Sequence, residues 1–368
     1  MIKSLLKRLP ITKNLIQKYE DLKSERNMLI QQLKKLKPER TQFVKSLYRN
    51  ILEREPSRAE VANCLQANLS DRELLYQFTN SEEYKRRLRI PGQNNSLLGI
   101  LTQYEKLDTY LLYPSFDRVQ LPAMLEGEPF QLSDFNICLD FLSNHHLLDP
   151  QKKVFLDIGA NVGSTSVYAI KSNIFTHAIS IEPSQSNYQF LVWNIRINDL
   201  VDKIYPLHYG IADFVGEQDL IGSISNCGDF RLSPNLEESS ENLFNEKEFG
   251  VERVQFFTLD ELARNGTLKL GEIGFIWIDC QGSEGLIFKA GKQFLYEAAV
   301  PIYIEFWPYG IRQLNCKAEY FEFISQYSSR ILKLVDQEMQ PISIEFLEDY
   351  YSQNLHDKQS LDILILPH

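Results

Sequence analysis

Residues 154–165 read VFLDIGANVGST, an apolar run that ends in an acid and breaks into a turn of small residues. Val154, Phe155, Leu156 and Ile158 suit a strand buried on both faces. Gly159 and Gly163 lack a Cβ, so backbone and ligand can come close there. Ser164 opens a helix whose free N–H groups favour a polar or anionic partner. Asn161 carries an amide that can meet a carboxylate or an ammonium, or can hold its own turn. About 20 residues beyond the glycines, the run AISIE ends in Glu182, where an acid can grip ribose hydroxyls. Asp157, Gly159, Asn161, Gly163 and Glu182 together predict a site for a nucleotide-like cofactor. Their spacing is not the G-x-G-x-x-G of dinucleotide-binding turns.

Two further acids close apolar runs: Asp279 ends FIWID and Glu305 follows VPIYI. Carboxylates at the ends of parallel strands converge on one cleft. There they can serve as a general base raised in pKa by mutual repulsion. They can equally hold a Mg²⁺ that acidifies a hydroxyl. Asp279 also suits a cap for the helix that follows, with Glu284 complementing its dipole. His208 lies near a strand end and reads either as a base or as a packed histidine. Trp277, Phe306, Trp307 and Tyr309 gather around the expected cleft, as a stacking surface for a ring or as core.

Positioning these side chains takes alternating strands and helices. Candidate strands fall at 153–158, 178–182, 203–208, 254–257, 274–279, 301–306, 330–335 and 361–366, with helices between most of them. That rhythm predicts a parallel sheet covered on both faces. Residues 232–250 are polar and acidic and read as a surface loop that could close over an acceptor.

The ordered blocks DIGANVG, IEPSQSNYQFLVWNIRIN, FTLDEL, IGFIWIDCQGSEGLIFKAG and VPIYIEFWP resemble the FkbM-type methyltransferases, over about Lys152 to Pro308. The resemblance implies an α/β class I methyltransferase fold, Rossmann-like, with a seven-stranded, mostly parallel sheet whose last strand, 361–366, is an antiparallel edge strand. It implies S-adenosylmethionine as cofactor, held by the loop and acid above, with Asp213 at the adenine amine. It implies a hydroxyl of a saccharide, glycan or related natural product as methyl acceptor, with Asn226 and Gly228 in a turn near the acceptor pocket. Two positions depart from the family pattern: Trp277 stands where Lys is common, and Gln281 where Glu is common. A nicotinamide-dependent oxidoreductase is the rival enzyme class, disfavoured by the glycine spacing; a non-catalytic scaffold of glycan biosynthesis is the third reading.

The chain has 368 residues, 43% of them hydrophobic, and a net charge of −10. That balance disfavours an extended nucleic-acid footprint. Five scattered cysteines without a C-x-x-C pair suggest a reducing, cytoplasmic setting. Residues 1–38 read as an amphipathic helix or short coiled coil. Its seam of Leu15, Tyr19, Leu22, Leu29, Leu33 and Leu36 suits either a homo-oligomer or packing on the chain. The basic stretch Met1–Lys18 suits a weak membrane-surface contact or a solvated face. Residues 39–92 form a small all-α module, and FVKSLYRNILEREPSRAEV resembles a bacterial helical repeat of unknown function that implies docking. Ser57 and the pair Ser70/Glu73 mark helix starts. After a PGQNNS linker, 93–150 reads as a connecting, cofactor-covering region, and 151–368 as the catalytic domain.

Overall fold

The computed structural model describes residues 40–45, 47–52, 54–67, 69–79, 81, 83, 99–104, 107–127, 129–223, 225–233 and 249–368. The heptad seam, the basic N-terminal stretch, the helix expected after Ser81, the linker at 91–96 and most of the acidic loop at 232–250 lie outside them. The chain forms two compact units, Met1–Arg89 and Ile90–His368.

In the first unit, local chemistry starts two of the described helices. Ser57 Oγ accepts from Glu60 N, and the Glu60 carboxylate accepts from Ser57 N at 2.7 Å, a reciprocal capping box at the head of α1 (Arg58–Gln66). Ser70 and Glu73 repeat the arrangement at α2 (Asp71–Thr79). Tyr48 meets Phe78 edge-on at 4.7 Å beside buried Phe43, Val44, Leu47 and Leu74.

The second unit opens with a hairpin, β1 (Gly99–Tyr104) and β2 (Thr109–Pro114), followed by the helices α3 (Gln120–Leu125) and α4 (Leu132–Asn144). Then come β3 (Val154–Ile158), α5 (Ser164–Lys171), β4 (His177–Ile181), α6 (Gln185–Ile197) and β5 (Ile204–Leu207). Four short strands follow: β6 (Gly210–Ile211), β7 (Gly216–Gly222), β8 (Phe230–Leu232) and β9 (Gly250–Phe257). After α7 (Leu259–Arg264) the chain runs through β10 (Ile273–Ile278), α8 (Glu284–Ala290), α9 (Lys292–Ala298) and β11 (Ile302–Phe306). It ends with α10 (Pro308–Gln313), α11 (Lys317–Tyr327), β12 (Ser328–Val335), β13 (Glu338–Ile342), α12 (Ile344–Gln353) and β14 (Leu361–Pro367).

The main sheet has the order β13-β12-β14-β11-β10-β3-β4-β5. The strands β5, β4, β3, β10 and β11 are mutually parallel, and β14 runs antiparallel between β11 and β12. All eight expected strands form, with two corrections to their placement. The final strand is interior, because β12 pairs antiparallel on its outer side and β13 then takes the edge. The strand at 254–257 belongs to a separate four-stranded sheet, β6-β9-β7-β8.

Alternation along the strands gives the sheet two different faces. Phe155, Phe275 and Trp277 point to one face, where Phe135 of α4 sits 5.8 Å from Phe155 and 5.6 Å from Trp277. Leu156, Ile158, Ile276, Ile278, Ile302 and Ile304 pack on the other face with Phe288, Phe323 and Ile324 of α8 and α11. Burial on both faces explains why the central strands read as unbroken apolar runs.

The hairpin is fastened by α6. Asn194, fully buried, accepts from Leu112 N at 2.7 Å and donates to Val162 O at 2.8 Å and Leu112 O at 3.1 Å; Asn198 pairs with Tyr110 N and O. Asn194→Ala strands these backbone groups and is expected to cost about 3 kcal/mol. Urea unfolding checks it: the midpoint falls while the m-value stays unchanged.

Candidate functional site

The carboxyl ends of β3, β4, β10 and β11 face two adjoining crevices. The narrower, about 50 Å³, is lined by Gly159, Asn161, Glu182, Pro183, Ile211 and Phe230, among others. The wider cleft, about 490 Å³, is lined by Gln120, Gln131, Asp134, Asp279, Glu305 and Asp362, among others. Gly159, Asn161, Gly228, Asp279 and Gln281 belong to both, so the two adjoin along these residues.

At the narrow end, both oxygens of Glu182 accept backbone N–H bonds, from Asn161 at 2.7 Å and Ser184 at 2.8 Å. A carboxylate offers about four lone pairs, so two remain for a ligand's hydroxyls. Burial pushes this carboxyl up to about 8, with Glu252 and Asp157 adding repulsion. Gly159 has φ +84°, and a Cβ there would collide with the carbonyl oxygen of Asp279. The glycine therefore lets β3 turn directly beneath the end of β10. Gly163, also at φ +84°, lines neither crevice; its missing Cβ makes room for Leu191 of α6.

Asp157 turns away from both crevices. Its Oδ2 accepts from Ser166 Oγ at 2.5 Å, and that hydroxyl lies 2.6 Å from Ser180 Oγ. It thereby ties β3, α5 and β4 together, and burial raises its carboxyl to about 7.

At the wide end, Gln281 Nε2 donates to Asp279 Oδ1 at 2.7 Å and to Glu305 Oε2 at 3.0 Å. Gln131 Nε2 reaches Asp279 Oδ2 at 3.3 Å. Burial raises both carboxyls. Glu305 goes well above the ordinary range, with Asp279, Asp362 and Glu284 repelling it. Asp362 stands beside Glu305 in the β11–β14 register, and burial lifts it to about 8. Asp279 does not cap α8; Glu284 holds that turn, accepting from Cys280 N at 2.8 Å. Asn161 (φ 52°), Gln131 (φ 58°) and Gln281 (φ 52°) all adopt the left-handed region and all line the wide cleft. Such backbone costs about 1–3 kcal/mol per residue and gathers at functional sites.

A family model described as "Methyltransferase FkbM domain" matches residues 157–350, more than half of the chain. The chain belongs to the FkbM methyltransferase family.

Among solved structures it is similar to methyltransferase FkbM from Methylobacillus flagellatus KT, at 16% identity and a TM-score of 0.34, over 58% of this chain and 44% of that one. It is also similar to the B. subtilis M1A22 tRNA methyltransferase TrmK, at 12% identity and a TM-score of 0.31, over 65% of each chain. A third is the geranyl diphosphate C-methyltransferase of Streptomyces coelicolor A3(2), in complex with Mg²⁺, geranyl diphosphate and S-adenosyl-L-homocysteine. There the identity is 11% and the TM-score 0.32, over 67% of this chain and 80% of that one. The match thus spans less than half of the first of these chains. No curated protein matches.

Besides Asp157 and Gly163, two more residues that sequence reading placed in the site lie elsewhere. Asp213 pairs with Lys289 at 2.8 Å and lines neither crevice. His208 follows the edge strand β5, is exposed, and stacks on Tyr188 at 4.6 Å. Phe306 and Tyr309 are core residues, whereas Trp277 and Trp307 are buried with one side on the wide cleft. Asn226 and Gly228 do line that cleft. Where the sequence reading allowed a Mg²⁺, the Gln281 amide bridges the facing oxygens of Asp279 and Glu305. Among the described residues no group of three or more His, Cys, Asp or Glu could hold a metal, and no helix is long and apolar enough to cross a membrane. Sequence reading missed Gln120, Gln131, Asp134 and Asp362; only the positive φ of Gln131 marks one of them as unusual, and that is visible in the fold alone.

Proposed function

We propose that this FkbM-family protein is an S-adenosylmethionine-dependent O-methyltransferase acting on a hydroxyl of a saccharide or related natural product. The observation that carries the reading is that the two crevices adjoin at the strand ends, with Glu182 lining the narrow one, Glu305 the wide one and Asp279 both. The residues fit the cofactor. Glu182 keeps acceptor capacity for a ribose diol, and Ile211, Leu220, Phe230 and Phe256 give the narrow crevice apolar walls for a flat ring. Buried amide oxygens of Gln120, Asn161 and Asn187 have no hydrogen-bond partner and suit a donor-bearing ligand.

When bound, S-adenosylmethionine supplies a methyl group on a sulfonium, open to in-line displacement by an oxygen. Holding that oxygen in line supplies much of the rate. The wide cleft is of the size and polarity for an acceptor, with Gln131, Asp134, Asp362 and Trp307 along it. Asp279, clamped on both oxygens by glutamine amides, is positioned to take the acceptor's proton. Glu305 holds a proton beside it, because two such close carboxyls do not both ionise near neutrality. The first unit is read as a docking module.

Titration calorimetry with S-adenosylhomocysteine and with NADH tests the cofactor reading. S-adenosylhomocysteine is expected to bind and NADH not. The reverse result overturns the proposal. Transfer of tritiated methyl to a saccharide library then separates an enzyme from a scaffold.

A further inference from the structure

We propose that the acceptor carries a protonated amine besides the hydroxyl to be methylated, as an amino sugar does, with Asp134 and Asp362 as its counter-charge. The inference rests on the reading of the wide cleft as the acceptor site. Asp134, Asp279, Glu305 and Asp362 all line that cleft. The methyl transfer described above uses Asp279 and Glu305 and leaves Asp134 and Asp362 without a task. Asp362 lies opposite Glu305 in the antiparallel β11–β14 register, where like charges destabilise a sheet. Burial, and then repulsion from Asp279 and Asp134, lifts Asp362 to about 8; burial also raises Asp134. Among the described residues none of the four forms an ion pair with a lysine, arginine or histidine. Asp229, on the same cleft, is by contrast answered within the chain by buried Arg231 at 2.7 Å. Lys358, also on the cleft, is exposed. Carboxyls drawn out of water are ordinarily paired. Alone, this set keeps its protons; an ammonium draws it into the ionised form.

A second observation points to a donor-rich ligand independently. Gln120 is 4% exposed and lines the same cleft, and its Oε1 has no hydrogen-bond partner. Its backbone is firmly placed. Asp117, 1% exposed, accepts from Val119, Gln120 and Leu121 N through Oδ1, at 3.0, 2.6 and 2.8 Å, and from Cys227 N through Oδ2 at 2.9 Å. These bonds bolt the start of α3 to the 225–228 turn, where a Cβ on Gly228 would lie 2.7 Å from Gln120 Nε2. The four carboxyls and this amide oxygen are acceptors, and an ammonium flanked by hydroxyls supplies the donors. A uronate or a phosphorylated sugar would bring more acceptors and charge of the same sign. Among the described residues no group of three or more His, Cys, Asp or Glu could hold a metal ion, so the donors must be spread over several ligand atoms. Held as an ammonium, the amine has no lone pair, and the hydroxyl alone competes for the methyl group.

The test compares the methyl glycosides of glucosamine, glucose and glucuronic acid, which share a ring and differ in charge. Ligand-observed NMR titrations are run on the full chain in the presence of S-adenosylhomocysteine. The glucosaminide is expected to bind about tenfold or more tighter than the glucoside, and the glucuronide weakest. Asp362→Asn and Asp134→Asn keep the side-chain shape and remove one charge each. Each is expected to bring the glucosaminide-to-glucoside ratio toward one, whereas a merely structural residue would lower both affinities alike. Equal affinity for the two in the unmodified protein overturns the inference, as does tightest binding of the glucuronide or a ratio that neither variant moves. Displacement of the glucosaminide by magnesium chloride assigns the acids to a metal and overturns it too. Failure of all three glycosides to bind overturns the acceptor reading instead, and the inference with it.

Discussion

Glu182→Gln is expected to lower the affinity for S-adenosylhomocysteine by about 10- to 100-fold in calorimetry, with the protein still folded. The substitution keeps one oxygen to accept from the backbone amides of Asn161 and Ser184, which now hold both carboxylate oxygens. It removes the charge that strengthens two hydroxyl contacts, and its NH2 replaces one of the two acceptors, leaving one backbone N–H unanswered; hydrogen bonds to a charged group are worth about 1.5–3 kcal/mol. Glu182→Ala is the blunter variant, because it also strands two backbone donors. A pH series sharpens the prediction. The ligand-free carboxyl, pushed up to about 8, is largely protonated at pH 7. A ribose diol donates to the ionised form and so lowers that value. Binding therefore releases a proton, and affinity rises from pH 6 to 8 and levels off above 8. The release is read from binding enthalpies in buffers of different ionisation heat. Affinity that is flat across this range, or that falls, removes Glu182 from the ribose.

Asp279→Asn is expected to reduce methyl transfer by about 10²- to 10⁴-fold while leaving S-adenosylhomocysteine affinity within about twofold. The side chain is isosteric and can still accept from Gln281, so the loss reports the missing base and not a collapsed cleft. Glu305→Gln is expected to act differently. It weakens the hydrogen bond from Glu305 that lowers the Asp279 carboxyl against its burial, so the ascending limb of the pH–rate profile moves up. The sign follows from the direction of the shift: both carboxyls are raised, the base must be ionised to accept a proton, and activity therefore climbs with rising pH. Initial rates of tritiated methyl transfer across pH 5 to 9 check both. An unchanged rate in Asp279→Asn moves the proton acceptor elsewhere.

Much of this molecule was readable before folding. The strands at 153–158, 178–182, 274–279 and 301–306 are buried on both faces, so burial wrote them as unbroken apolar runs. The capping boxes at Ser57 and Ser70 were readable because each closes within four residues. Glu182, Asp279 and Glu305 were readable as site candidates because a strand end in a parallel sheet opens on the ligand side. That rule gives a residue's level but not the direction of its side chain. Asp157 therefore turned inward to Ser166, Asp213 turned to Lys289, and His208 ended up on the exposed edge.

The remainder depended on register between distant segments. Asp362 meets Glu305 only because β14 inserts antiparallel between β11 and β12. Gln131 reaches Asp279 across 148 positions, from the head of a helix that the sequence placed only in a covering region. Gln120 reaches Gly228 because Asp117 joins two loops 110 residues apart. The sequence by itself determined most secondary elements and the acid at the end of β4, which follow from local periodicity and short spacing, and its ordered motif blocks carried the family. Only the tertiary structure decided which carboxylates stand together and which amides line one cleft, because pairing across strands and loops carries no signature within either segment alone.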